Sequence, residues 1–229
     1  MKSCRRKSLL VTGCLLAVLV GAVVWRAGSY HEPAYAGKRL SVWLDELAAL
    51  DNFKRVDPRT PQVRAVRAIG TNAIPWLLSE LRTKGDPWGW RLNKLLEKQR
   101  VTKYRFPDIN KRLSRATFGF EALGELAEPA IPSLLGLLEE QPGFIPGALA
   151  GIGDPALPAL GQCLTNTRSY TTSIGQIVPI PGNTIGAIHN AITAGRLSKS
   201  EAAIFLPAIR DWAQSTNRNP GQDNYAADF

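Results

Sequence analysis

A ten-residue pattern occurs three times in this chain, and it constrains the fold more than any other feature. The copies run from Val66 to Pro75, from Leu123 to Pro132 and from Leu149 to Pro158, reading VRAIGTNAIP, LGELAEPAIP and LAGIGDPALP. Spaced self-similarity of this kind marks an array of helix pairs, in which one pair cannot bury its apolar face alone and stacks on its neighbours. Each copy has the chemistry of a turn between two helices. Helix formers with apolar spacing lead in, a small or turn-prone stretch ends the helix, and Asn72 or Asp154 is placed to cap the next one. Pro155 fits a first helical position, where a missing N–H is tolerated, and Pro75, Pro132 and Pro158 fall near the first turn.

Apolar stripes follow each copy: Ile74, Leu77, Leu78 and Leu81; Ile131, Leu134, Leu135 and Leu138; Leu157, Leu160 and Leu164. Their spacing is that of a helix face packed on neighbours. At these residues the chain resembles the HEAT-repeat family, in particular the short HEAT-like repeats of phycobilisome lyases and of many exported bacterial proteins. The segments 148–160 and 122–134 match the family pattern well, 65–77 less fully, and the lead-in from Glu32 to Leu44 is similar to the segment that precedes such repeats in anchored bacterial proteins. The resemblance implies an all-α fold, a short α-solenoid of HEAT-like helix pairs across residues 40–216, with Gly70, Pro75, Gly124, Pro132, Gly153 and Pro158 as its structural motif residues. It implies protein or peptide binding more than catalysis.

The repeat is irregular. Pro75 and Pro132 lie 57 residues apart but Pro132 and Pro158 only 26, so an insertion separates the first two copies, and the third pair is compact, with about three turns per helix. After Leu164 the pattern decays, and Ile174 to Gly182 is unlike a helix. Two further helices are expected near 184–194 and 199–214, before a polar, disordered tail from Asn217 to Phe229.

The N-terminus carries an address. Lys2, Arg5, Arg6 and Lys7 precede an uncharged, mostly apolar run from Ser8 to Trp25 that Arg26 ends. Eighteen residues at ~1.5 Å each make a helix of ~27 Å, enough to cross a bilayer. The basic flank keeps the N-terminus in the cytoplasm and sends residues 26–229 across, first through a juxtamembrane linker, 26–39. This points to the bacterial inner membrane, single pass, with a periplasmic domain. A cleaved signal peptide is the rival reading, and Val11 to Cys14 resembles a bacterial lipobox. Gly13, Ala17 and Gly21 share a face on which two such helices can approach as a weak dimer. Cys4 and Cys14 lie in the leader, so Cys163 has no disulfide partner within the exported part and reads as a partly buried thiol.

Charge is unevenly distributed. Residues 82–115 carry 11 basic and 3 acidic groups, whereas 116–229 carry 5 and 10. Within this insertion Trp88, Trp90, Tyr104 and Phe106 interleave with Arg91, Lys94, Lys98, Arg100, Lys103 and Arg105, a composition suited to anionic lipid or an acidic polymer, and 88–100 reads as an amphipathic helix. The competing reading makes the aromatics core and the charges a solvated face. Catalytic signals are thin. His31 and His189 are too few for a His-based metal site or a triad, Glu121, Glu125 and Glu128 read as a solvent-facing helical row, and no phosphate loop, dinucleotide fingerprint or CxxC pair is present. The sequence therefore points to no catalytic residue, cofactor or metal, and not to nucleic acid. Three readings remain open: a membrane-tethered protein-binding scaffold, a binder of anionic lipid or polyanion through 82–115, and a lyase or lyase accessory implied only by the resemblance.

Overall fold

The computed structural model describes residues 32–50, 57–83, 109–172 and 175–216. Its helices belong to one compact unit that begins at Pro33. A short hairpin, β1 (Ala34–Tyr35) with β2 (Lys38–Arg39), leads into α1 (Leu40–Ala48), α2 (Pro61–Ile69), α3 (Ile74–Leu81) and α4 (Ile109–Leu123). Then come α5 (Ile131–Gly136), α6 (Ile145–Ile152) and α7 (Leu157–Leu164), a second hairpin of β3 (Ser169–Thr171) and β4 (Ile177–Pro179), and α8 (Ile180–Thr193), α9 (Lys199–Ala202) and α10 (Leu206–Thr216). The described residues are mostly helical, as expected of an all-α chain. The end of the expected linker is structured: the first hairpin is pinned to α1 by the Trp43 indole N–H donating to the Tyr35 carbonyl (3.1 Å) and by Lys38 over the Trp43 ring.

Each copy of the ten-residue pattern joins two helices through a 3-10 turn, and three residue types explain the geometry. Gly70 (φ 63°) and Gly153 (φ 94°) leave the preceding helix in a backbone region that only glycine enters cheaply. Ala73 and Ala156, fully buried, are small enough for the turn to close over them. Pro75 and Pro158 then occupy the second position of α3 and α7, where the absent N–H has no acceptor to lose. The second copy departs from this register. Ala127 stands where the others have glycine, so the left-handed residue is Gly124 (φ 60°), three residues upstream, and the 3-10 segment lengthens to Gly124–Ala130. Three residues is one 3-10 turn, so the entry into α5 at Ile131-Pro132 is preserved.

Asn72 and Asp154 do not cap the following helices; neither helix start has a side-chain cap, because the 3-10 turn itself occupies the first N–H groups. Ser198 does cap, accepting from the Glu201 N–H at 3.1 Å, in the Ser-x-x-Glu box that opens α9. The last two predicted helices correspond to α8, which starts at Ile180 rather than near 184, and to α9 with α10, which a 3-10 turn (Ala203–Phe205) separates. That turn also delivers a Leu-Pro helix start, Leu206-Pro207. Only that start is shared with the pattern, since Ala202 and Phe205 stand where the first and third copies have glycine and alanine. The third pair is tighter than expected, with eight residues in each of α6 and α7, because the turn consumes part of the short period.

The first helices of successive pairs lie side by side, α2 on α4, α4 on α6 and α6 on α8, while α3 packs against α4 and α7 against α8. Leu77, Leu81, Phe120, Leu134, Leu149, Ile152 and Leu160 are fully buried in one continuous core. Glycine sets the closest approach: a Cβ on Gly151 would sit 2.9 Å from the Glu121 Cα, so α4 and α6 touch backbone to backbone. Among the described residues no helix is long and apolar enough to cross a membrane. The predicted span 8–25, its Gly13, Ala17 and Gly21 face and the tail 217–229 lie outside them.

Candidate functional site

Of the residues singled out for polyanion binding, Trp88, Trp90, Arg91, Lys94, Lys98, Arg100, Lys103 and Arg105 lie outside the described residues, as does the expected helix 88–100. The end of the basic segment is described, and its three cations pair with two carboxylates of the domain. Arg112 grips the buried Glu80 of α3 with two nitrogens, and that bond holds its guanidinium charged even above the usual arginine range, against the opposing effect of burial. Arg115 forks onto Asp45 of α1 at 3.0 Å and Lys111 reaches the same carboxylate at 3.3 Å. These pairs tie α4 to α1 and α3; Arg115 is mostly covered in its pair, whereas the Lys111 side chain stays 60% exposed. These pairings were not legible in the sequence, because acidic partners 32 to 70 residues away are invisible to local spacing.

A cleft of about 780 Å³ opens along the turns, lined by Arg67, Gly124, Glu125, Leu126, Gly153 and Arg196 among others. Its two arginines act on helix ends. Arg67 donates from Nε to the Ala122 carbonyl at 3.0 Å, and Arg196 from Nη1 to the Gly151 carbonyl. Each places a positive charge at a helix C-terminus, where unsatisfied carbonyls and the helix dipole favour it. Burial pushes the Arg196 pKa down to about 10, Glu121 opposes that shift, and Arg67 adds to it. The Glu121, Glu125 and Glu128 row does not survive as a helical face. Helix α4 stops at Leu123, Glu121 lies 3.9 Å from Arg196, and the other two are exposed on the 3-10 segment that follows. Half-buried Asp154 has its carboxyl pKa raised, by desolvation first and then by hydrogen bonding with Glu201 and the charges of Glu201 and Glu125.

A second cleft, of about 840 Å³, lies between β4 and the start of α8. Tyr170 and Trp212 are among its walls, with Gln176, Asn183 and Asn190 as its amide side chains and Gly147, Gly182 and Gly186 presenting bare backbone. The described lining holds no Asp, Glu, Lys, Arg or His. Asn183 fixes one wall by donating from Nδ2 to the Pro142 and Gly143 carbonyls at 3.1 and 3.4 Å. Trp212 packs over Gly182, where a Cβ would meet its ring at 3.1 Å. Gly186, one turn further along α8, faces open space. The sequence reading passed over this cleft because 165–183 read only as an irregular break; the signal available was the i, i+4, i+8 row Gly182, Gly186 and Asn190.

Chemically reactive side chains are dispersed. Cys163 is buried on α7 with its thiol pushed up to about 11 by desolvation, far from the range of a nucleophile at neutral pH. His189 lies on α8, His31 lies outside the described residues, and among the described residues no group of His, Cys, Asp or Glu is placed to hold a metal ion. No protein-family model, curated protein or solved structure matches this chain significantly.

Proposed function

We propose that this chain is a membrane-anchored, non-catalytic scaffold of HEAT type, a short α-solenoid held on the outer side of the bacterial inner membrane by residues 8–25 and binding a protein or peptide partner. The observation that carries this reading is the repeated turn: a left-handed glycine, a buried alanine and an Ile-Pro or Leu-Pro helix start recur while the first helices of successive pairs lie side by side. Arrays of that kind present extended surfaces and use them for binding. The arginines at the turns serve helix ends, the buried Cys163 offers no thiolate, and the uncharged cleft beside α8 is the recess best suited to a neutral partner. The lyase reading gains no support, since Cys163 is the only cysteine after the leader.

The test is in-cell crosslinking followed by capture of the full chain from membranes. One protein should be recovered in near-stoichiometric amount and survive washing at about 200 mM salt, where purely ionic contacts weaken. A chain that yields no crosslinked protein overturns the proposal. The polyanion alternative, through Trp88, Trp90 and the basic groups Arg91 to Arg105, rests on the charge of 82–115, of which Lys111, Arg112 and Arg115 pair with Asp45 and Glu80. It would be favoured by binding to anionic vesicles that falls at least ~10-fold between about 50 and 200 mM salt.

A further inference from the structure

The cleft between β4 and α8 combines three properties that together select an occupant. The first is a strand edge that has no partner among the described residues. In the second hairpin Ile180 donates to the Arg168 carbonyl and Thr172 to the Gln176 carbonyl, at 3.0 and 2.8 Å, with Thr171 opposite Ile177. Antiparallel rungs alternate, so Ile177 falls between rungs and turns its own N–H and C=O away from β3. The hairpin is a two-stranded sheet, and five consecutive residues of its second half, Gly175 to Pro179, line the cleft against Tyr170 alone from the first strand. The free edge of β4 is therefore the one beside the cleft.

The second property is space at backbone level. A Cβ on Gly186 would meet nothing within 4 Å, so a chain can lie close over α8 at that point. Asn183 and Asn190 flank it seven residues apart, ~10.5 Å along a helix, which about three residues of extended chain span. Asn190 offers both a donor and an acceptor, as a peptide unit requires, and Asn183, whose Nδ2 is held by the Pro142 and Gly143 carbonyls, offers its acceptor. The third property is neutrality: in a chain with net charge +9, the described lining of this cleft carries no ionised side chain, and Ile177, 63% exposed, is apolar.

We infer that this cleft binds an extended, uncharged segment of a partner protein, which adds as a strand to the outer edge of β4 and crosses α8 over Gly186. Strand addition takes affinity from main-chain hydrogen bonds and specificity from alternate side chains. A neutral glycan would use the aromatic walls and the amides but would leave the edge of β4 unpaired and the apolar Ile177 uncovered. The inference deepens the scaffold reading and rests on it for the partner's class.

The test pans the full chain in lipid nanodiscs against phage-displayed random dodecapeptides and probes it in parallel with a neutral glycan array. The enriched peptides should be uncharged with apolar residues at alternate positions, and their affinity should change by less than about twofold between about 50 and 200 mM salt. Gly186→Leu fills the open space and favours the helix. Ile177→Pro removes an outward N–H and the exposed isoleucine side chain but no bond to β3, because that residue lies between rungs. Each should weaken the peptides by about tenfold or more, the scale of losing main-chain bonds that carry the affinity, with helical signal and Tm retained. Failure to enrich uncharged peptides, or undiminished binding to both variants, overturns the inference. Glycan binding lost in Gly186→Leu overturns the occupant proposed here. A protein partner that crosslinks normally to both variants overturns the cleft while leaving the scaffold reading intact; peptide binding with no partner in cells does the reverse.

Discussion

The carboxyl of Asp154 has other carboxyls for neighbours. Desolvation, then hydrogen bonding with Glu201 and the charges of Glu201 and Glu125, raise its pKa, so the folded chain holds a proton there at a pH where the unfolded chain has released it. Protonation therefore favours the fold, and that contribution is present at low pH and lost as pH rises through the raised value. Asp154→Asn keeps the shape and removes the repulsion. Its Tm should exceed the parent's near pH 7, with the difference shrinking toward about pH 4 as the carboxyls protonate; an equal gain at both ends of the melting series would mean that charge is not the cause. Asp154 also marks a limit of local reading, since a helix cap was expected from its place in the motif and its partner, Glu201, is 47 positions further along the chain. Cys163, expected to be partly buried, is fully buried. With its pKa pushed up to about 11 by burial, it should label with iodoacetamide at about pH 8 far more slowly in the folded chain than in denaturant. Site-resolved mass spectrometry separates it from Cys4 and Cys14, and equal rates would contradict its burial.

At the scale of elements, glycines of the same composition do opposite work. Gly151 lets α6 meet the backbone of α4, and alanine there would place a Cβ 2.9 Å from the Glu121 Cα. Gly186 on α8 meets nothing within 4 Å. Gly151→Ala should cost about 1–3 kcal/mol through overpacking that backbone cannot relieve, whereas Gly186→Ala should gain up to about 1 kcal/mol from helix propensity. Urea titrations followed by helical circular dichroism measure both, and effects of the same sign would show that the α4–α6 contact is looser than described. The apolar stripes and the proline starts were legible in the sequence because periodicity and proline chemistry are local. The shift of the second turn by one 3-10 turn was legible only in principle: Gly124 precedes and Ala127 replaces the glycine of the other copies, yet alignment of the motifs hid the difference.

For the whole molecule, the charge asymmetry read from the sequence acquires a partner list. Lys111, Arg112 and Arg115 on α4 pair with Asp45 of α1 and Glu80 of α3, so the end of the basic segment holds α4 against both helices. The topology prediction is independent of that packing and follows from Lys2 to Lys7 before the apolar run. A reporter that is active only outside the cytoplasm, fused after Phe229, should be active with the full-length chain retained in membranes. An inactive fusion would invert the topology, and a soluble product shortened by roughly 30 residues would show a cleaved leader instead.

Sequence by itself determined the helical class, the places of the turns and the core faces, because these follow from glycine and proline backbone limits and from the 3.6-residue period of apolar side chains. Leu77, Leu81, Leu134 and Leu160 are buried as their spacing required. Tertiary structure alone decided which charges are neutralised and where a recess opens. Arg115 finds Asp45 across 70 residues, Arg196 reaches the end of α6, and β4 comes to lie beside Gly186 only once a hairpin has formed in a stretch with no helical period. Such contacts join residues remote in the chain, and their energy depends on distances that no local pattern encodes.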